Sequence, residues 1–259
     1  MQEAKEVGLD VIALTDHDTT GGWEDAAAAL PAGLSLVRGA ELSCSRTGIS
    51  LHLLAYLFDP AEPTFADQRR MLRESRVGRA ELMVERLAAD GHPVTWQQVR
   101  GLAGGTVGRP HVAQALMAHG LVGSVSEAFT DEWIGTHGRY WVAKAELDVV
   151  DAVRLVTGAG GVPVFAHPAA SKRGRVVGDD VIAAMADAGL VGLEVDHVDH
   201  SEQEKARLRN LAAELGLLIT GSSDFHGDNK EIRLGAHLTS EAVYDEIVAR
   251  SSGVPVLAA

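Results

Sequence analysis

The chain has 259 residues, long enough for one large α/β domain or for a core domain carrying a small insertion. Hydrophobic residues make up 46% and charged residues 23%, an ordinary soluble composition, and no apolar run approaches the roughly 20 residues of a membrane span. The formal net charge of −13 argues against a general duplex-DNA-binding surface, which is basic because it must displace phosphate counterions.

Met1–Glu6 is charged and has no apolar h-region, so it does not read as a secretory signal. A single cysteine, Cys44, excludes an internal disulfide framework and fits a reducing compartment; the expected location is the cytoplasm. Residues 61–145 hold ten basic and nine acidic side chains, a net of +1, so the remainder carries −14. This contrast leaves room for acidic metal ligands in the remainder and for a middle segment facing an anion.

In chain order, Met1–Val7 reads as the end of a helix entering a strand. Leu9–Leu14 is an apolar run that ends in Thr15-Asp16-His17-Asp18, as a buried parallel strand with functional groups at its C-terminal end would. Gly22–Leu30 reads as helix. Leu34–Val37 reads as a strand leading to Glu41, and Ser50–Leu57 as a strand containing His52. A long helix is expected over 64–90, a loop over Gly101–Gly108 and a short helix over Pro110–Ala118. Strands and helices then alternate. Helices are expected over Val149–Thr157, Val181–Ala188 and Glu202–Leu215. Strands are expected over Val162–Ala166, Gly192–Val195 and Leu217–Thr220. The alternation implies βα units around a parallel sheet. Domain limits of 1–60 with 146–259 for the core, and 61–145 for a helical insertion, follow from this rhythm.

One arrangement recurs: an Asp, Glu or His at or near the end of an apolar strand. It is seen at Asp16/His17, Glu41, His52, His167 and Asp224/His226. Mixed imidazole and carboxylate donors suit Mn²⁺, Zn²⁺ or Fe²⁺, and a carboxylate such as Glu41 can bridge two ions, as two-metal hydrolases require.

Thr15-Asp16-His17-Asp18, Gly39-Ala40-Glu41-Leu42-Ser43, His52-Leu53-Leu54-Ala55-Tyr56, Ala166-His167-Pro168 and Ser223-Asp224-Phe225-His226 together resemble the ordered motifs of the PHP (polymerase and histidinol phosphatase) family. Gly108-Arg109-Pro110-His111 resembles a segment of that family's nucleotide-phosphatase branch, where a helical insertion lies. The resemblance implies a distorted (β/α)₇ TIM-like barrel holding up to three divalent ions. It implies that Glu41 bridges the first two ions and that His52 and His167 complete the second site. Asp224 would bind the first ion, and His17 with His226 the third. Asp16 would orient His17, and His167 or Asp224 would manage protons. The implied activity is hydrolysis of a phosphomonoester on a phosphorylated small molecule, a nucleotide or the end of a short oligonucleotide.

The family's opening strand with its His-x-His pair has no counterpart here, so the expected barrel lacks its first strand and the expected ion count falls below three. The rival reading is a truncated remnant acting as a binding module. A third, a barrel hydrolase of C–N bonds, lacks an evident lysine to bridge its metals.

Several further residues carry expectations. Arg109 is a candidate phosphate clamp. Arg139 and Lys144 either contact an anionic substrate or simply cover the insertion. His111 is expected to support or pack against the site. Arg69, Arg73 and Arg76 are expected on a solvated face, and His197 and His200 at the rim of the site.

Overall fold

The computed structural model describes residues 1–103, 106–227 and 232–259; Gly104 and Gly105 of the expected loop lie outside the described residues. The elements run α1 (Gln2–Glu6), β1 (Val11–Leu14), α2 (Trp23–Ala28), β2 (Ser35–Arg46), β3 (Ile49–Tyr56), α3 (Pro63–Ala89), α4 (Trp96–Leu102), α5 (Arg109–Ala118), α6 (Val125–Ala128) and β4 (Leu147–Asp148). They continue with α7 (Val149–Gly158), β5 (Val162–Phe165), a 3₁₀ turn (Ser171–Arg173), α8 (Asp179–Asp187), β6 (Gly192–Asp196), α9 (Glu202–Leu215), β7 (Leu218–Gly221), α10 (Glu241–Arg250) and β8 (Leu257–Ala258). The chain divides into two compact units, Met1–Arg69 with Glu146–Ala259, and Arg70–Ala145.

Among the described residues the first unit holds one eight-stranded sheet ordered β1-β2-β3-β5-β6-β7, with β4 and β8 also pairing with β2. The fold is mixed α/β, and the sheet is a curled half-barrel in which β1 and β7 are the ends of the path. The expected parallel sheet is in fact mixed. β1–β2, β5–β6 and β6–β7 are parallel, but β3 runs antiparallel to both β2 and β5.

The cause is a two-residue hairpin. Thr47 and Gly48 both have positive φ, 50° and 72°, the combination whose twist matches that of the flanking strands. Strand β2 therefore does not stop near Glu41 but continues to Arg46, so Glu41 and His52 lie within strands rather than at their ends. Close approach of the two strands needs Gly39, where a Cβ would meet the Ala55 carbonyl at 2.7 Å.

Burial of Leu36, Leu42, Leu53, Val164, Leu193 and Val195 fills the inner layer of this unit. Two of the helices in this unit, α7 and α9, start on side-chain caps. Asp148 accepts the N–H groups of Val150 and Asp151 at the head of α7. Ser201 and Glu204 form a capping box on α9. In the second unit, Met83, Leu87, Val99, Val112, Leu116 and Ile134 make a separate helical core. The expected solvated arginine face on α3 is also corrected. Arg73 is exposed, but Arg69 and Arg76 are buried, Arg69 against Phe58 and Phe65 with Nη2 donating to the Pro60 carbonyl at 2.6 Å.

Candidate metal centre

The hairpin and the loop after β1 build the centre. Ser43 faces His52 across the pair and Glu41 faces Leu54, so Glu41 and His52 are diagonal neighbours on one face of the sheet. The loop after β1 continues the pairing: Glu41 N–H donates to the Asp16 carbonyl at 3.2 Å, and Asp18 N–H to the Glu41 carbonyl at 3.0 Å. His17 is thereby locked opposite Glu41 in a parallel bridge. Asp18, with φ +59°, is buried; its carboxylate accepts both the Ser43 N–H and the Ser43 hydroxyl at 2.7 Å. Asp18 is thus the clamp that holds the His17 loop on β2.

Three imidazoles surround Glu41, which is 7% exposed. His52 Nδ1 lies 2.6 Å from Oε1, His167 Nε2 3.4 Å from Oε1 and His17 Nδ1 3.8 Å from Oε2. Burial opposes ionisation of Glu41, but the charges of His17 and His52 and hydrogen bonds from His167 and His52 outweigh it and hold the carboxyl well below the usual range. The donor atoms of His17, Glu41 and His52 fall within 4.8 Å of one another. A buried, ionised carboxylate among convergent imidazoles fits a divalent cation.

His167 and Asp224 extend the centre from two further strands. His167 follows β5 with φ +32°, and Asp224 follows β7 with φ +48°. Positive φ in residues other than glycine is uncommon and concentrates at functional sites. His167 Nε2 stands 3.3 Å from His52 Nδ1. Its backbone N–H donates to Glu194 Oε2 at 2.8 Å. Glu194, in the middle of β6 and 2% exposed, is pushed up to about 7 by burial, against the opposing pull of His167. His226 Nδ1 lies 3.2 Å from Asp224 Oδ1, and its ring is 6.3 Å from that of His17.

Of the sequence-predicted ligands, His17, His52 and His167 converge on Glu41, while Asp224 and His226 pair with each other beside them. The Asp16 carbonyl accepts from Glu41, and its Oδ2 faces Gly22, where a Cβ would lie 2.8 Å away. His197 and His200 are corrected from the rim to the interior. His197 is fully buried, and His200 is fastened to backbone, with Nδ1 on the Val195 carbonyl and Nε2 accepting the Ala169 N–H. Sequence reasoning did not single out Asp18, Glu194, Arg173 or Asp199. Glu194 carried a usable signal, an acidic residue inside an otherwise apolar strand, whereas Arg173 and Asp199 carried none.

In the second unit, Arg109 Nη1 donates to the Ile134 carbonyl at 3.3 Å and its guanidinium covers Phe129. His111 Nδ1 accepts the Gly108 N–H at 3.0 Å, a cap on α5. Burial holds this imidazole below its usual range. Arg139 pairs with Asp90 at 2.7 Å, beside the Tyr140 hydroxyl that donates to the same carboxylate. Lys144 is half-buried in the segment before Glu146.

A mixed carboxylate–imidazole centre on a curled α/β sheet is that of a metal-dependent hydrolase, and comparisons with known proteins narrow the class. No family model matches the chain. A 3′,5′-nucleoside bisphosphate phosphatase of Chromobacterium violaceum is 32% identical over 226 residues, 83% of this chain and 76% of the relative. A 5′-3′ exoribonuclease of Haemophilus influenzae is 30% identical, covering 89% of this chain and 84% of its own. A solved structure from Bifidobacterium adolescentis, described as a metal-dependent phosphoesterase, superposes with a TM-score of 0.90 at 35% identity, over 97% of this chain and 89% of the other. The chain belongs to the PHP family of metal-dependent phosphoesterases.

Proposed function

We propose that the chain hydrolyses a phosphomonoester on a nucleotide or on the end of a short oligonucleotide. The cluster of His17, Glu41 and His52, with His167, Asp224 and His226 beside it, carries the reading. The named activities of the Chromobacterium and Haemophilus relatives, on a nucleoside bisphosphate and on RNA, support the substrate class.

Divalent ions held there, Mn²⁺, Zn²⁺ or Fe²⁺, supply Lewis-acid polarisation of phosphoryl oxygens and activation of water. The protein's own groups do the rest. Glu41 and the three imidazoles fix the position of positive charge, and Glu194 holds the His167 backbone so that its ring stays on Glu41. Water adds to phosphorus and the P–O bond to the leaving alkoxide breaks. His167 or Asp224 takes and returns the protons that the two oxygens exchange. In this reading residues 1–60 and 146–259 carry the chemistry, and the near-neutral insertion 61–145 selects the rest of the substrate through Arg109, Arg139 and Lys144.

Phosphate release from adenosine 3′,5′-bisphosphate and from a short 5′-phosphorylated RNA tests the reading, with Mn²⁺ added and then chelated. The expected result is Mn²⁺-dependent release from one or both. Metal uptake without release from either would leave a binding module in place of an enzyme.

A further inference from the structure

Beside the Glu41 cluster, four residues close a ring around one oxygen of Asp224. Arg173, the last residue of the 3₁₀ turn after β5, donates from Nη2 to Asp224 Oδ2 at 2.6 Å and from Nε to Asp199 Oδ2. The Asp199 backbone N–H donates to His197 Nδ1 at 3.1 Å. An imidazole that accepts at Nδ1 carries its proton on Nε2 when neutral. Among the described residues that Nε2 has no hydrogen-bond partner; its side chain is fully buried, and it lies 3.5 Å from Asp224 Oδ2.

The ring is itself anchored. Ser171 Oγ, two residues before Arg173, donates to Glu204 Oε1 at 2.8 Å, and Glu204 belongs to the cap of α9. With Oδ2 held by Arg173, Asp224 turns Oδ1 to His226. Asp224 also has φ +48°, so its orientation depends on its neighbours rather than on backbone preference.

We propose that Arg173, Asp199 and His197 are positioning residues that aim the Asp224 carboxylate at the metal centre before a cation arrives. The proposal rests on reading Asp224 as a metal ligand. A carboxylate already ordered loses little freedom on binding a cation, and partners behind a ligand commonly change metal affinity by about 10–100-fold. The guanidinium fork spans two carboxylates at once, which a lysine's single ammonium reproduces only in part.

Calorimetric titration of Mn²⁺ into the metal-free 259-residue chain, with thermal melts of the same samples, tests this. Arg173→Ala should bind Mn²⁺ roughly 10–100-fold more weakly, with the metal-free melting temperature unchanged. Asp199→Asn should move in the same direction by less, and Arg173→Lys should fall between Arg173→Ala and wild type. Millimolar guanidinium should restore part of the affinity to Arg173→Ala and none to wild type, a response that a general structural role would not give.

Equal or tighter Mn²⁺ binding by Arg173→Ala would overturn the proposal, showing that the arginine competes with the cation. So would unchanged Mn²⁺ affinity with a raised KM for the nucleotide bisphosphate, the mark of a substrate contact. Should Arg173→Ala not fold, Asp199→Asn decides by the same criterion. A wild-type chain that takes up no Mn²⁺ removes the metal reading and this proposal together, whereas Mn²⁺ uptake without phosphate release removes only the proposed reaction.

Discussion

The backbone N–H of His167 donates to Glu194 Oε2 at 2.8 Å, while the imidazole of the same residue stands 3.4 Å from Glu41 Oε1. Two buried carboxylates thus hold one residue from opposite ends, one through its main chain and one through its ring. Truncation at Glu194→Ala leaves a buried N–H without its acceptor. That should destabilise the protein by about 1–3 kcal/mol, read by urea denaturation. Glu194→Gln keeps an acceptor oxygen and should recover most of the loss. Equal stability of Glu194→Ala and wild type would show that the bond does not hold the loop.

Glu41 is the carboxylate nearest all three imidazoles, so its replacement should be felt in cation binding before anything else. Mn²⁺ at 100 times its dissociation constant stabilises a folded protein by about 2.7 kcal/mol, visible as a rise in melting temperature. Glu41→Gln should abolish that rise while the metal-free protein still folds. A rise of unchanged size would place the tightest cation elsewhere.

Strands β5, β6 and β7 were legible in the sequence because each is an apolar run ending in turn residues, and they lie within one or two residues of the expected limits, whereas the two-residue strands β4 and β8 gave no such run. The β2–β3 hairpin was not. Gly39-Ala40-Glu41 looks like a strand end when read alone. Only the pairing of Thr47 and Gly48, both with positive φ, shows that the strand continues to Arg46 and turns back. The residues that converge on Glu41 were legible as types at strand ends. The residues behind them were not, because Arg173 and Asp199 come from separate loops and Glu194 from strand β6, and each reaches its partner only in the fold. His197 and His200 misled for the same reason: a run of alternating Asp and His looks solvated until its burial is seen.

Glu204 gives a pH test away from the metal centre. Hydrogen bonds from the Ser201 backbone, the Ser171 hydroxyl and the Ser201 hydroxyl hold its carboxyl at about 2, against an ordinary value of 4.5. A carboxyl lowered on folding stabilises fully above its unfolded value, and that contribution disappears as pH falls through the folded one. The stability difference between wild type and Glu204→Gln should therefore be constant above roughly pH 5.5 and shrink between pH 4.5 and about 2. Glu204 lies half-buried at the protein surface, where solvent screens its charge, so the effect is small, and denaturant midpoints at several pH values are the suitable measurement. A difference that grows on acidification would contradict the assignment.

Arg109 separates the insertion's two possible jobs. It donates to the Ile134 carbonyl at 3.3 Å and covers Phe129, contacts that tie α5 to the segment after α6. A substrate clamp that also makes these contacts has a distinct kinetic signature. If it neutralises developing charge, Arg109→Ala should lower kcat/KM by roughly 10²–10³, equivalent to about 2.7–4 kcal/mol of transition-state stabilisation. Metal content and melting temperature would stay near wild type, and Arg109→Lys would recover part of the rate, since lysine restores charge but not the two-pronged geometry. If Arg109 only braces the insertion, the melting temperature falls, and activity on every substrate falls in proportion to the folded fraction. Steady-state kinetics with adenosine 3′,5′-bisphosphate beside thermal melts of the same preparations distinguish the two. An unchanged kcat/KM in a stably folded Arg109→Ala would remove this arginine from the substrate site.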